Sequence, residues 1–126
     1  MLQVQSPRHN LLRGHEAAVK RWAAAGADIV VGGHIHLPFV LPLRERWPGL
    51  KRDVWAVQAG TAVSNRVRAD AGNSVNVIRV GASMATADAD EHAAPRRCVV
   101  ERWDHAAATH CFERVSAHAL AGAHVG

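Results

Sequence analysis

The sequence predicts an α/β fold, and three observations carry that expectation. A stretch of helix formers from His15 to Ala25 runs into Gly26; an apolar β-branched run, Asp28-Ile29-Val30-Val31, follows at once and ends at Gly32-Gly33; and further strand-like runs lie at 54–59 and 74–80. A helix leading directly into an apolar strand is the grammar of layered α/β architecture. Length is consistent with this: 126 residues fit one domain or part of one. Hydrophobic residues make up 48% and charged residues 21%, which argues against a disordered or low-complexity chain.

Taken in order, Leu2-Gln3-Val4-Gln5 alternates and is expected as a short strand ended by Ser6-Pro7, because proline removes a donor and restricts its predecessor. The helix over 15–25 places Val19, Trp22 and Ala23 with Ala18 on one face, so Trp22 is expected in the core; Gly26 suits a helix end. The strand Asp28–Val31 is expected to be buried on both faces, since it carries no polar alternation. Residues 37–53 hold three prolines and a charge cluster and should form an irregular excursion with one edge strand at 39–43. Val54 to Ala59 is a strand ending at Gly60, with Trp55 expected in the core. Ser74 to Val80 is another, with Val75, Val77 and Arg79 on one face and Asn76, Ile78 and Val80 on the other. The small, acidic stretch 81–95 reads as an exposed linker, and 121–126 as a frayed tail after a domain spanning 1–120.

The last element is expected to be a hairpin of 97–105 and 109–117. A register in which paired numbers sum to 215 sets Trp103 against Phe112, Glu101 against Arg114, Arg102 against Glu113 and Val100 against Val115. That register holds Cys98 and Cys111 on the order of 20 Å apart, which excludes a disulfide between them.

Charge and targeting narrow the function. Fifteen Lys plus Arg against eleven Asp plus Glu give +4, but the signs interleave, and no basic stripe carries interspersed aromatics, so nucleic acid is an unlikely partner. No apolar run approaches the ~20 residues of a membrane span, and the start lacks a signal-peptide pattern, which points to no membrane and a cytoplasmic protein.

The chemical signal is Gly32-Gly33-His34-Ile35-His36, placed where an apolar strand runs out. Ligands in open α/β sheets bind at the carboxyl ends of strands. The i, i+2 spacing sets both rings on one side of an extended segment, and imidazole is the commonest side-chain ligand for borderline divalent metals. Asn65 and Arg66, in the turn after 54–59, could meet a phosphate through charge-assisted hydrogen bonds. His15 could contact substrate or simply begin a solvated helix, and His9 and Asn10 could cap a segment or lie in a polar loop. His92, His105, His110, His118 and His124 are expected to be solvated.

Helix, Ala-Gly-Ala-Asp turn, apolar strand, GGHIH and a following Leu-Pro together resemble the terminal G-H-x-H motif of the calcineurin-like metallophosphoesterases. VWAVQAGTAVSNRVR is similar to the strand and turn that follow it there, and NSVNVIRV with the final hairpin to the closing strands; the resemblance covers roughly residues 2–118. It implies the C-terminal half of a four-layer α/β/β/α sandwich, incomplete as a domain, whose full binuclear site hydrolyses phosphoesters. It assigns His34 to one metal and His36 to the other. The Asp-x-His, Gly-Asp and Gly-Asn-His blocks of the family have no match, so no catalytic residue is assigned, and the His-x-Pro block aligns with Gln5-Ser6-Pro7, where an amide is a poor donor to a transition metal. Mn, Fe or Zn is expected over Mg, given imidazole ligands.

Two imidazoles without a carboxylate cannot hold two dications. The chain alone is therefore expected to be a poor hydrolase: a truncated or split gene product, or one with a mis-assigned start. The alternative is a non-catalytic remnant or interaction module that pairs with a complementary chain, or with itself, through an exposed sheet.

Overall fold

The computed structural model describes residues 14–67, 71–82 and 96–120. The strand expected at 2–5, Gln5-Ser6-Pro7, His9, Asn10, His92, His124, residues 83–95 of the expected 81–95 linker and the tail lie outside them; Gly81 and Ala82, expected in that linker, extend a strand instead.

Helix α1 spans His15–Ala24. It ends by geometry written in its sequence: Gly26 takes φ 100°, its N–H bonds the Ala23 carbonyl at 3.1 Å, and the Ala27 N–H bonds the Trp22 carbonyl at 3.0 Å. This paired pattern satisfies two terminal carbonyls and is open to glycine because no Cβ opposes the left-handed backbone. The reversed chain enters β1, Ile29–Gly32.

Strands β2 (Phe39–Pro42) and β3 (Trp55–Gln58) complete a three-stranded sheet in the order β1-β3-β2. β1 runs parallel to β3, with Ile29 beside Trp55 and Gly32 beside Gln58; β2 is antiparallel to β3 at the edge. A short 3-10 turn, Leu43–Glu45, follows β2. The edge strand expected in the proline-rich excursion is thus present, and its Pro42 fits an edge, where a missing donor costs no ladder bond.

The second sheet is antiparallel, in the order β4-β5-β6, with β4 at Ser74–Ala82, β5 at Arg96–Ala106 and β6 at Cys111–Ala119. The two sheets meet face to face. Val57 of the first packs with Cys98 and Val100 of the second and with Leu120, and Ile29, Val40 and Trp55 border that core. On the other face of the first sheet Val54 and Leu50 pack with Val19 and Ala23 of α1, with Val30, Leu43 and Trp47 around them. Alternation along the strand explains the division, since Val54 faces the helix while Trp55 and Val57 face the second sheet. The molecule is therefore mixed α/β, layered as helix, three-stranded sheet and three-stranded sheet.

Three expectations need correction. Trp22 is 40% exposed and is not core; Val19 and Ala23 alone bury α1. Val31 is 62% exposed, so β1 is not buried on both faces. It is an edge of the sheet among the described residues, and the second sheet covers Ile29 without reaching Val31. The hairpin register also differs: Trp103 pairs with Arg114, Asp104 with Glu113, and Ala106 with Cys111. The turn occupies 107–110, one residue later than expected, and His110 closes it with φ 53°. An irregularity between Arg102 and Trp103 shifts the register once more, giving Arg102 opposite Ser116, Glu101 opposite Ala117 and Val100 opposite His118. Turn geometry fixes register before surface charge pairs can act, and a bulge accommodates the extra residue. Both cysteines are free, Cys98 buried and Cys111 exposed.

Candidate functional site

β1 and β3 are neighbours and parallel, so their carboxyl ends open on the same edge of the first sheet. β1 continues into Gly33-His34-Ile35-His36 and β3 into the loop 60–66. Two adjacent parallel strands releasing loops at one edge is the place where α/β proteins build sites.

The local backbone is not the extended segment expected from the i, i+2 spacing, so that spacing no longer sets both rings on one side. His34 has φ 78° and His36 φ 57°, left-handed conformations that non-glycine residues adopt at a cost. The Ile35 N–H bonds the Gly33 carbonyl at 3.0 Å across this tight path. Gln58 braces its start, donating from Nε2 to the Gly33 carbonyl at 2.7 Å, while the Ala59 N–H bonds the Gly32 carbonyl at 2.8 Å. A Cβ at Gly32 would meet Gln58 Oε1, so a side chain there would have to displace this brace.

His36 is held from the second loop. Its Nδ1 lies 2.7 Å from the Arg66 carbonyl oxygen. A carbonyl only accepts, so Nδ1 carries the proton, and in the neutral ring the lone pair is left on Nε2. An imidazole whose one nitrogen donates to a backbone carbonyl is oriented to offer the other to a metal. His34 is exposed and shares the segment.

The loop that supplies this carbonyl is itself hydrogen-bonded throughout. The Ser64 N–H donates to Thr61 Oγ1 and the Arg66 N–H to Ser64 Oγ, each at 3.1 Å. Asn73 Nδ2 bridges the Thr61 carbonyl at 3.2 Å and the Ser64 carbonyl at 2.9 Å, and the Ser74 N–H adds a bond to Thr61 at 2.9 Å. Gly60 lets this loop lie close to the second sheet, since a Cβ there would overlap Ser74 Oγ.

The structure thus brings His36 and Arg66 together, but through the Arg66 backbone, with the Arg66 side chain and Asn65 both exposed. Sequence reasoning did not foresee Gln58 and Asn73 as supports; their signal is only that each is an amide beside a strand end. His15 meets Trp47 in a tilted ring contact, centroids 5.7 Å apart, on the helix side of the sheet. Among the described residues no group of three or more His, Cys, Asp or Glu could hold a metal ion. No helix among them is long and apolar enough to cross a membrane. No protein-family model, curated protein or solved structure matches the chain.

Proposed function

We propose that this chain supplies two imidazole ligands, His34 and His36, to a binuclear centre of a metal-dependent phosphoester hydrolase of the calcineurin-like kind, acting as a phosphatase or phosphodiesterase when the remaining ligands are joined to it. The observation that carries this is the Nδ1–H bond from His36 to the Arg66 carbonyl at the carboxyl ends of two parallel strands, which leaves Nε2 free to bind. In this reading the helix and the two sheets are three layers of a four-layer α/β/β/α sandwich.

The donor set fits in part. Two neutral imidazoles suit Mn, Fe or Zn, but neither bridges two ions nor offsets their charge, and no third donor joins them among the described residues. In this reading Asn65 and Arg66, on the loop that holds His36, meet the phosphoester.

Calorimetric titration with Mn or Zn tests the reading. One weak site, diminished by both His34→Ala and His36→Ala, is expected. Two tight sites in the 126-residue chain would overturn the missing-ligand reasoning, and binding indifferent to both substitutions would overturn the metal reading. Aryl phosphate hydrolysis by this chain with Mn is expected to match buffer plus metal; turnover of ~1 to 10³ per second would contradict the need for added ligands.

A second reading, an interaction module that pairs with a complementary chain or a second copy, draws on the open edge of β1 and its exposed Val31. An unpaired strand edge beside apolar surface favours association. Sedimentation as a compact monomer with one cooperative melt would count against it.

A further inference from the structure

The outer face of the second sheet, the one turned away from the Val57–Val100 core, gathers residues from three strands that are scattered in sequence. Strand alternation and register put Val75, Val77 and Arg79 of β4, Val99, Glu101, Trp103 and His105 of β5, and Phe112 and Arg114 of β6 on this face. At its centre is Glu101, whose side chain is only 6% exposed. Glu101 Oε1 accepts from Arg79 Nε at 3.1 Å and from Arg114 Nη1 at 3.2 Å, and Oε2 accepts from Trp103 Nε1 at 3.0 Å. These three donors make the burial of a carboxylate tolerable and hold Glu101 below the usual glutamate range, the Trp103 N–H first and the Arg79 bond next.

The consequence for the donors matters more. Both guanidiniums are fixed against one oxygen atom while remaining more than half exposed, and each keeps N–H groups directed elsewhere. Two cations against one anion leave a local excess of one positive charge. Beside them Trp103 is locked by its own N–H, and His105 and Phe112 stand edge to face with centroids 5.6 Å apart. A converged arginine pair suits a phosphate, and an adjoining row of rings suits a flat π-system. A phosphopeptide would use the arginines and leave the rings idle, whereas a nucleotide unit uses both.

We propose that the face formed by Arg79, Arg114, Trp103, His105 and Phe112 binds a nucleotide unit, its phosphate on the two arginines and its base against the aromatic row. The one-dimensional charge pattern hides this site, because its cations come from β4 and β6 and its rings from β5 and β6. The proposal is independent of the metal reading.

Titration of the chain's tryptophan fluorescence with an octathymidylate, an abasic octamer of equal charge and thymidine monophosphate tests it, with Trp103→Phe assigning the signal. Saturable quenching by the octathymidylate is expected, at least tenfold weaker for the abasic strand and for Arg79→Gln/Arg114→Gln, and unchanged in His34→Ala. Arg79→Lys/Arg114→Lys, which keeps Glu101 paired with cations, should recover part of the loss even where the glutamine variant folds poorly. In the wild type the logarithmic salt dependence should exceed that of the glutamine variant by about 0.7, the value for one phosphate neutralised on a single strand. Thymidine monophosphate binding within tenfold of the octamer identifies a free nucleotide as the ligand; much tighter octamer binding identifies a strand. No quenching by either, equal affinity for the abasic strand, or affinity unaffected by removing both arginines would overturn the proposal.

Discussion

Replacing Asn73 by alanine should release His36 without touching it. Asn73 Nδ2 makes two bonds, to the Thr61 and Ser64 carbonyls, and the loop they close delivers the Arg66 carbonyl to His36 Nδ1. A net value of about 0.5–1.5 kcal/mol for each bond gives about 2 kcal/mol for the pair, the Thr61 carbonyl keeping the Ser74 N–H as its donor in the variant. At about 1.4 kcal/mol per tenfold, the loop should open roughly thirtyfold more often. Hydrogen exchange at the Ser64 and Arg66 amides reads that opening, and a long-range proton–nitrogen spectrum of the imidazoles reads its effect. In the wild type His36 should carry its proton on Nδ1; in Asn73→Ala that preference should fade while the His34 signals stay in place. Asn73→Asp, which keeps the shape and removes the donors, should behave the same way. A His36 ring still protonated at Nδ1, with loop exchange unchanged, would refute the chain of support from Asn73 to the imidazole.

Other expectations are simpler to check. Ser74→Ala should be neutral or stabilising by up to about 1 kcal/mol in urea unfolding, because Ser74 Oγ is buried without a hydrogen-bond partner among the described residues. Gly60→Ala should cost about 1–3 kcal/mol by overlap with that hydroxyl, and Ser74→Gly should return part of the loss in the double variant. Because Glu101 titrates lower folded than unfolded, its stabilisation is present above the ordinary glutamate pKa of about 4.5 and is lost as pH falls through the lower folded value; the melting advantage of wild type over Glu101→Gln should shrink over that acid range. In a thiol titration of the native chain Cys111 should react promptly, while Cys98, its thiol pushed up by burial and then by the charge of Asp28, should react only on unfolding.

How much of this was legible in the residues varied with the range of the forces involved. The α1 terminus at Gly26, the β-branched run of β1, the edge strand at Phe39–Pro42 and the alternation of β4 all follow from local chemistry, and each stands where the sequence placed it within one or two residues. The arrival of His34 and His36 at a strand end was equally readable. What failed depended on distant neighbours. Trp22 and Val31 are apolar by composition, yet their exposure is decided by how far the covering layers extend. The β5–β6 register looked fixed by four complementary pairs, but the turn at 107–110 moved it, and Glu101 and Arg114 now meet diagonally. The Asn73 bridge had no sequence signal, and of the Glu101 cluster only the Arg114 contact was foreseen, because the rest joins positions that only the sheet brings together.

The left-handed backbone at His34 and His36 carries an evolutionary consequence. An imidazole at such a position is retained against a conformational cost of order 1–3 kcal/mol, which glycine would relieve. Were the two rings idle, mutation would drift both positions toward glycine or asparagine at no penalty and with a gain in folding free energy. Selection of this chain for stability alone should therefore move both positions toward glycine or asparagine whether or not the rings are used, and histidines that persist only when activity is selected as well are the ones in use.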